Sequence, residues 1–402
     1  MRAGIVFLVL AYMLSQFYRA CLAVLSPVLA HDIGATPETL AHASGLWFLA
    51  FALAQVPVGW SLDRIGPRLT AALPLGLCGG SGALVFALAQ GPGAIALAMI
   101  LIGIGCAPVM VAAYYIFARA YPPALFGTLA GAMLGFGSLG NMASTLPLAW
   151  AAAAFGWRAT LVAAAVLTVV VALALTRFVR DPERVAAHGP RGTWGQLLRD
   201  RRLWLVAPMM VAGYAPAADV NGLWVGPYMA GVYGLDAAGI GRTSLTMGIA
   251  IAAGSFVYGS LDRIVGSRKW GIFGGNVLAL AVLVCLGLAP EAGRWTATLL
   301  IAALGFTGAA YPAVMAHGRL FLPPQLLGRG VALLTMVGIG GTGLMQVVTG
   351  SIHSAVTGPP ASAPFSAIFL FFAGLLAAVL ALYAFSPARA DHGPVDKAAP
   401  RG

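Results

Sequence analysis

Residues 59–68 read Gly-Trp-Ser-Leu-Asp-Arg-Ile-Gly-Pro-Arg, and a shortened copy, Gly-Ser-Leu-Asp-Arg-Ile, returns at residues 259–264. A second, unrelated pair repeats at nearly the same offset of about 200 positions: RAYPPALFG at 119–127 and RLFLPPQLLG at 319–328. Two motifs that recur at one spacing indicate a duplicated structural unit. The chain is therefore predicted to consist of two halves that contain the same elements in the same order.

The composition places those halves in a membrane. Of the 402 residues, 60% are hydrophobic and 9% are charged, and the mean hydropathy is +0.89. A soluble globular protein carries about 25% charged residues, so this chain has too little polar surface for water. The composition excludes a cytosolic enzyme, a secreted disulfide scaffold and an extended disordered protein, and it makes the lipid bilayer the solvent.

The apolar segments have the length of membrane-spanning helices. A helix needs about 20 apolar residues to cross a bilayer, whereas the strands of a membrane barrel need only about 10. Helices and closed barrels are the two structures that satisfy their backbone hydrogen bonds in lipid. The sequence therefore predicts an all-α polytopic protein with twelve spans, near residues 4–30, 40–61, 69–90, 93–118, 127–151, 158–179, 203–230, 238–260, 270–289, 295–318, 330–353 and 365–386.

The distribution of basic residues predicts the orientation. With both termini in the cytoplasm, most of the 23 Lys and Arg residues fall on the cytoplasmic side, and Arg158, Arg242 and Arg294 fall outside. The polar stretch 180–202 then separates two six-helix bundles, 1–179 and 203–386, and 387–402 form a cytoplasmic tail. We expect a multi-pass protein of the bacterial inner membrane whose first helix is retained, since it lacks a convincing cleavage site.

Other classes of function lack their signatures. The net charge of +11 suggests nucleic acid, but the basic residues lie in short gaps between apolar runs and not on one folded face. The four cysteines lie far apart inside apolar segments, without metal-ligand spacing. No nucleophile–base cluster or phosphate-binding loop is present. The sequence thus predicts no enzyme, no cofactor, no metal and no nucleic-acid partner.

The repeated loop motif has a counterpart in a known family. Gly59-x-x-x-Asp63-Arg64-x-Gly66-x-Arg68 resembles the motif between the second and third helices of the major facilitator superfamily. The resemblance covers essentially the whole chain and implies two pseudo-symmetric six-helix bundles, a monomer, and transport by alternating access. It implies that the loop latches the bundles in one state, a role carried onto Gly59, Asp63, Arg64, Gly66 and Arg68, and onto Asp262 and Arg263 in the looser second copy. The alternative is that these charges only anchor the topology.

Two ionisable residues, Arg19 and Asp219, fall inside predicted spans. A charge there costs about 2.5–3.5 kcal/mol even on lenient scales, so it is by default a functional hypothesis. Arg19 shares one helical face with Tyr12, Ser15 and Gln16. This polar face points to a cavity, although a long arginine can also extend to the headgroups.

The surroundings of Arg19 carry a second resemblance. Tyr18-Arg19, Pro27, and Gln55-x-x-x-Gly59 are similar to the organic-anion branch of the superfamily. In that branch the arginine of the first helix binds a phosphate or carboxylate, which the planar guanidinium suits by forming two charge-assisted hydrogen bonds. This chain departs from the pattern, because Tyr18 replaces an acid and Asp219 stands where the branch has a second arginine.

The seventh span predicts a gating helix. It reads Gly-Tyr-Ala-Pro-Ala-Ala-Asp-Val-Asn-Gly-Leu-Trp at residues 213–224, and such glycine and proline interruptions are typical of helices that line a cavity. We expect Asp219 to pair with Arg19 when substrate is absent and to take a proton during transport; a purely structural ion pair is the alternative. The expected substrate contacts are Tyr12, Gln16, Tyr18, Arg19, Tyr115, Asn141, Asn221 and Trp224.

The predicted function is proton-coupled symport of a small organic anion. Three alternatives remain open. The first is uptake of an aromatic nutrient such as a vitamin, favoured by Trp47, Tyr115 and Trp224. The second is drug or metabolite efflux, although the fifth span lacks the Gly-Pro element of the drug–proton antiporters. The third is a sensor that keeps the transporter fold and only reports its ligand.

Overall fold

The computed structural model describes residues 2–121, 123–182, 199, 201–265, 267–322, 327–356 and 358–387. These residues form α-helices joined by short turns, and no β-strand occurs among them. Eleven helical stretches in the described residues are long and apolar enough to cross a membrane. The predicted all-α polytopic fold is confirmed.

The first half contains six spans. They are α1 (Arg2–Ile33), α2 (Pro37–Arg64), α3 (Pro67–Ala87), α4 (Pro92–Ala120), α5 (Pro123–Ala143 and Leu146–Phe155) and α6 (Trp157–Phe178). Proline stands in the first turn of α2, α3 and α4, where its missing N–H costs no helical hydrogen bond. The prolines of these three helices therefore lie where each helix begins.

The fifth predicted span, 127–151, is one crossing made of two helical segments. The break lies at Ser144 and Thr145, whose hydroxyls donate to the carbonyls of Asn141 and Met142 at 2.6 Å each. Pro147 follows and has no backbone N–H. Side-chain hydrogen bonds compete with the helical ladder here, so the crossing is interrupted. Together with the eleven longer stretches it gives twelve spans.

The second half repeats the arrangement. Its spans are α7 (Arg201–Tyr233), α8 (Ala237–Val265), α9 (Arg268–Leu288), α10 (Arg294–Phe321), α11 (Leu327–Ala355) and α12 (Ala363–Ala384). The predicted linker 180–202 and tail 387–402 lie mostly outside the described residues, so the division at those positions stays a prediction.

The described residues of the two halves contact one another closely in the part of the bundle opposite the termini. Gly45 of α2 faces Gly343 of α11, and a Cβ added at either glycine would lie 2.7 Å from the other's carbonyl oxygen. Gly226 of α7 approaches the backbone of Ala23 in α1 in the same way, and Gly241 of α8 lies against Leu146 of α5. Small residues allow such close helix contacts in lipid. The molecule is therefore closed at this end.

Candidate functional site

The side chain of Arg19 is held in the interior by a tyrosine of the opposite half. Arg19 lies in the middle of α1 and is half-buried. Its Nη1 donates a hydrogen bond of 2.6 Å to the hydroxyl of Tyr214, while its guanidinium carbon lies 5.8 Å from the centre of that ring. The short bond and the longer ring distance show that the hydroxyl is the main contact. Arg19 thus connects α1 to α7.

Tyr214 owes its position to a break in α7. The first segment of α7 ends at Ala212 and the next begins at Ala215, with Pro216 in its first turn. Proline cannot donate to the preceding turn, which frees the backbone between the segments. The Tyr214 ring packs on the ring of Tyr311 from α10, with centroids 4.7 Å apart and planes inclined by 49°.

Besides Tyr214, two tyrosines lie near Arg19, Tyr12 and Tyr311, and a third, Tyr114, lies near Tyr12. Tyr12 of α1 interacts electrostatically with Arg19, Tyr114 and Tyr214, and Tyr311 interacts with Arg19, Tyr12 and Tyr214. The Tyr12 ring lies against Gly137 of α5, and the Tyr311 ring lies against Gly338 of α11. We call Tyr12, Tyr114, Tyr214 and Tyr311 the tyrosine cluster. Of its members, only Tyr12 was among the residues predicted from the sequence to bind substrate.

Asp219 does not form the expected ion pair with Arg19. The side chain is fully buried, and neither carboxyl oxygen accepts a hydrogen bond from the described residues. Gln346 of α11 is its polar neighbour, although the two groups do not reach normal hydrogen-bond geometry and the Gln346 amide is also unsatisfied. The pairing fails because Tyr214 engages Arg19 while Asp219 faces α11. Among the described residues, the Asp219 carboxyl is therefore buried beside Gln346 without a hydrogen bond of normal geometry or an ion pair.

Asn141, Asn221 and Trp224 make contacts between helices. The amide of Asn221 donates to Oδ1 of Asn141 at 3.4 Å, which joins α7 to α5 of the other half. Trp224 is fully buried, and its Nε1 donates to the hydroxyl of Thr349 in α11 at 3.0 Å. A five-residue π-helical segment, Val220–Trp224, carries two of these side chains. In this conformation the side-chain N–H groups of Asn221 and Trp224 therefore donate to other residues of the protein.

Tyr18 and Tyr115 lie away from Arg19's partners. Tyr18 is fully buried, and its hydroxyl is hydrogen-bonded to Thr168 of α6 at 2.8 Å. The Tyr115 ring lies beneath the guanidinium of Arg119, one turn further along α4, at 4.3 Å. The structure thus does not bring these two predicted contacts into the cluster, whereas Gln16 is half-buried one turn before Arg19.

The repeated loop motif contacts the end of α6. The backbone N–H of Arg68 donates to Oδ1 of Asp181 at 2.8 Å, and its Nε lies 3.8 Å from Oδ2. Gly66 has a φ of +103°, a backbone conformation that favours glycine, and a Cβ there would lie 2.8 Å from Asp181 Oδ1, so the Asp181 carboxyl would have to move. Arg64 covers the ring of Trp60 at 5.0 Å.

Other parts of the predicted latch are open or undescribed. Among the described residues, no atom lies within 4 Å of a Cβ placed on Gly59. The side chains of Asp63, Asp262 and Arg263 lie outside the described residues. The latch role of the motif stays a prediction.

Two cavities elsewhere are lined mostly by apolar side chains. A groove of about 600 Å³ between α5 and α8 has an entirely apolar lining that includes Leu139, Trp150 and Leu245. A second cavity of about 320 Å³ at the closed end is lined mostly by prolines, alanines, His353 and Phe365. Neither is lined by Arg19 or Asp219. We select the Arg19 region because it combines a charge, several hydroxyls and residues of both halves.

Comparison with known proteins agrees with this architecture. The sequence profile described as Major Facilitator Superfamily matches residues 8–241. No curated protein matches the chain in sequence. A bacterial homolog of the human lysosomal transporter Spinster, solved inward-facing and unoccupied, superposes with a TM-score of 0.73 at 18% identity, covering 95% of this chain and 94% of that one.

Two transporters with named substrates share the fold as well. The D-xylose-proton symporter gives a TM-score of 0.75 at 14% identity, over 96% of this chain and 98% of that one. The nucleoside transporter NupG gives 0.69 at 16% identity, over 96% and 100%. At these identities the likeness shows the fold alone.

Proposed function

The chain belongs to the major facilitator superfamily, and from this premise we propose that it is a secondary transporter of a small organic anion, driven by proton symport. The observation that carries the proposal is the setting of Arg19. Its guanidinium lies within the helix bundle, contacts the hydroxyl of Tyr214, and forms no ion pair with the described residues. A half-buried cation inside a span that lacks an anionic partner among the described residues is suited to receive one from the substrate.

Asp219 supports coupling to protons. A buried charge needs a counter-ion or several hydrogen bonds, and Asp219 has neither among the described residues. Its charge can therefore change only when its surroundings change, as they do when the halves separate and water enters. Protonation of Asp219 is thereby tied to the conformational cycle. In addition, the D-xylose symporter of the same fold is proton-driven according to its name.

The arrangement of the two halves supports alternating access. With the termini in the cytoplasm of a bacterial cell, as the positive-inside rule favours, the glycine contacts between α2 and α11 close the outer end. The Arg19 region is then reached from the cytoplasm. Binding near the midplane, between two repeats that move against each other, is the arrangement expected for such transporters.

The proposal is tested in proteoliposomes with an imposed proton gradient. A panel of radiolabelled carboxylates and phosphate esters is offered to the wild type and to Arg19→Lys, Arg19→Ala and Asp219→Asn. We expect Arg19→Ala to abolish uptake, Arg19→Lys to retain part of it, and Asp219→Asn to lose uphill uptake while keeping exchange of internal for external substrate. The matched control is Arg242→Ala, which removes an exposed arginine from α8.

Two results would contradict the proposal. If the Arg19→Ala variant took up substrate with wild-type affinity, Arg19 would not be the residue that binds the anion. If the Asp219→Asn variant still accumulated substrate against its gradient, Asp219 would not be the proton-coupling residue. The assignment of Arg19 as the anion-binding residue would be unaffected. Ligand binding without any flux would favour the alternative of a sensor.

A further inference from the structure

We infer that the transported anion is an aromatic monocarboxylate whose ring is held by the tyrosine cluster. This inference rests on the proposed function, because it requires Arg19 to bind the carboxylate. The four tyrosines come from four different helices, α1, α4, α7 and α10, and each half supplies two of them. A ring bound among them would contact both moving halves at once.

The cluster follows the internal repeat of the chain. Tyr12 and Tyr214, and likewise Tyr114 and Tyr311, are separated by about 200 positions, nearly the spacing of the repeated loop motif. The two halves therefore contribute tyrosines from corresponding helices, α1 with α7 and α4 with α10, although Tyr114 and Tyr311 stand about one helical turn out of register with the repeated Arg119 and Arg319.

Arg19 breaks this symmetry. With the offset that relates Tyr12 to Tyr214, the counterpart of Arg19 is Asn221, whose amide is already used by Asn141. The cluster therefore has one cationic end and not two. A ligand with one carboxylate would bind in a single orientation, with its anionic group at Arg19 and its remaining atoms among the phenol rings.

The chemistry of the cluster favours a flat ring. Aromatic rings prefer inclined or offset contacts with centroids 4.5–7 Å apart, and Tyr214 and Tyr311 already show such a contact at 4.7 Å and 49°. The Tyr311 hydroxyl is buried without a hydrogen bond of normal geometry, although Thr335 lies beside it. It is available to a polar substituent on the ring. A phosphate ester, with about two negative charges, would lack a second cation.

The test compares two acids that differ only in aromaticity. Benzoate and cyclohexanecarboxylate share the carboxylate and the ring size, and their affinities for the full-length protein are measured by titration calorimetry in detergent. We expect benzoate to bind about 2- to 12-fold more tightly, since a contact between aromatic rings adds about 0.5–1.5 kcal/mol beyond burial. Tyr311→Leu should remove that preference, and Tyr311→Phe, which keeps the ring, should retain it.

Neighbouring residues of α4 supply the matched control. Tyr114→Leu removes a member of the cluster, whereas Tyr115→Leu removes the adjacent ring that lies beneath Arg119. We expect the first substitution to reduce the preference for benzoate and the second to leave it unchanged. Thermal unfolding of each variant identifies any that do not fold, and the corresponding Tyr→Met variant replaces those, since methionine also removes the ring and is similar to leucine in volume.

The outcomes separate this inference from the proposed function. Equal affinities for the two acids, both abolished by Arg19→Ala, would overturn the aromatic inference and leave the anion site standing. Affinities that do not change in Arg19→Ala would overturn the proposed function itself. A benzoate preference that Tyr114→Leu and Tyr311→Leu leave intact, or a failure of both acids to bind, would also overturn the inference.

Discussion

Gly343→Ala should open the closed end of the molecule. A Cβ at this position would lie 2.7 Å from the carbonyl oxygen of Gly45, 2.8 Å from the Cβ of Phe48 and 3.0 Å from the backbone nitrogen of Leu49. Two of these neighbours are backbone atoms of α2, which cannot rotate away as a side chain does. The added methyl group therefore forces α2 and α11 apart wherever the two halves are in contact.

The magnitude follows from the cost of overpacking. Extra methyl groups in a tightly packed interior typically cost about 1–3 kcal/mol. That penalty applies to the state in which the closed end is shut and disappears when α2 and α11 separate. The ratio of open to shut molecules should therefore rise by roughly 5- to 150-fold, because 1.4 kcal/mol corresponds to a factor of ten.

A buried cysteine reports the opening. Ser44 precedes Gly45 in α2 and is fully buried, so Ser44→Cys, in a background lacking Cys78 and Cys285, should react with a soluble maleimide only when the end opens. We expect Gly343→Ala to accelerate this labelling. Gly340→Ala is the matched control on the same helix, since its Cβ would meet Ala52 at an ordinary 3.4 Å. Equal labelling rates in the two variants would refute the reasoning.

Two further predictions concern residues outside the transport pathway. Gly66→Ala should lower the free energy of unfolding by about 1–3 kcal/mol, because alanine must adopt a φ of +103° and its methyl group meets Asp181; an unchanged melting temperature would contradict this. Tyr18→Phe should lower the free energy of unfolding by about 1 kcal/mol, because the hydrogen bond to Thr168 is lost. It should leave ligand affinity unchanged. A change in affinity measured by calorimetry would show that Tyr18 contributes to the binding site.

The architecture was largely predictable because it depends on composition and periodicity. The span count, the repeat and the interruption of α7 all follow from apolar segment length and from glycine and proline positions, which act locally. The break in α5 was missed because it depends on the hydroxyls of Ser144 and Thr145 bonding to their own helix. Such bonds compete with the helix only where the surrounding packing permits.

The site was less predictable because a helix turns by about 100° per residue. The sequence pointed to Tyr115, but the neighbouring Tyr114 belongs to the cluster, while Tyr115 contacts Arg119. Similarly, Tyr18 and Arg19 are adjacent in sequence, yet Tyr18 bonds to Thr168 of α6 and Arg19 to Tyr214 of α7. Only the packed helices decide which of two neighbours faces the centre. The 200-residue spacing of the tyrosines was a signal in the sequence that could have found them.

The separation of Arg19 from Asp219 bears on how coupling would work. If Arg19 and Asp219 formed an ion pair, the substrate anion would have to break that pair to reach Arg19. The anion and the proton would then act on the same Arg19–Asp219 contact. Instead Arg19 bonds to Tyr214, and Asp219 lies five residues further along α7. The backbone break contains Tyr214, and the π-helical segment follows Asp219. In the mechanism we propose, the anion displaces Tyr214 from Arg19, and the proton neutralises Asp219. Both events act on the same short segment of α7, so each ligand changes the conformational equilibrium of this helix.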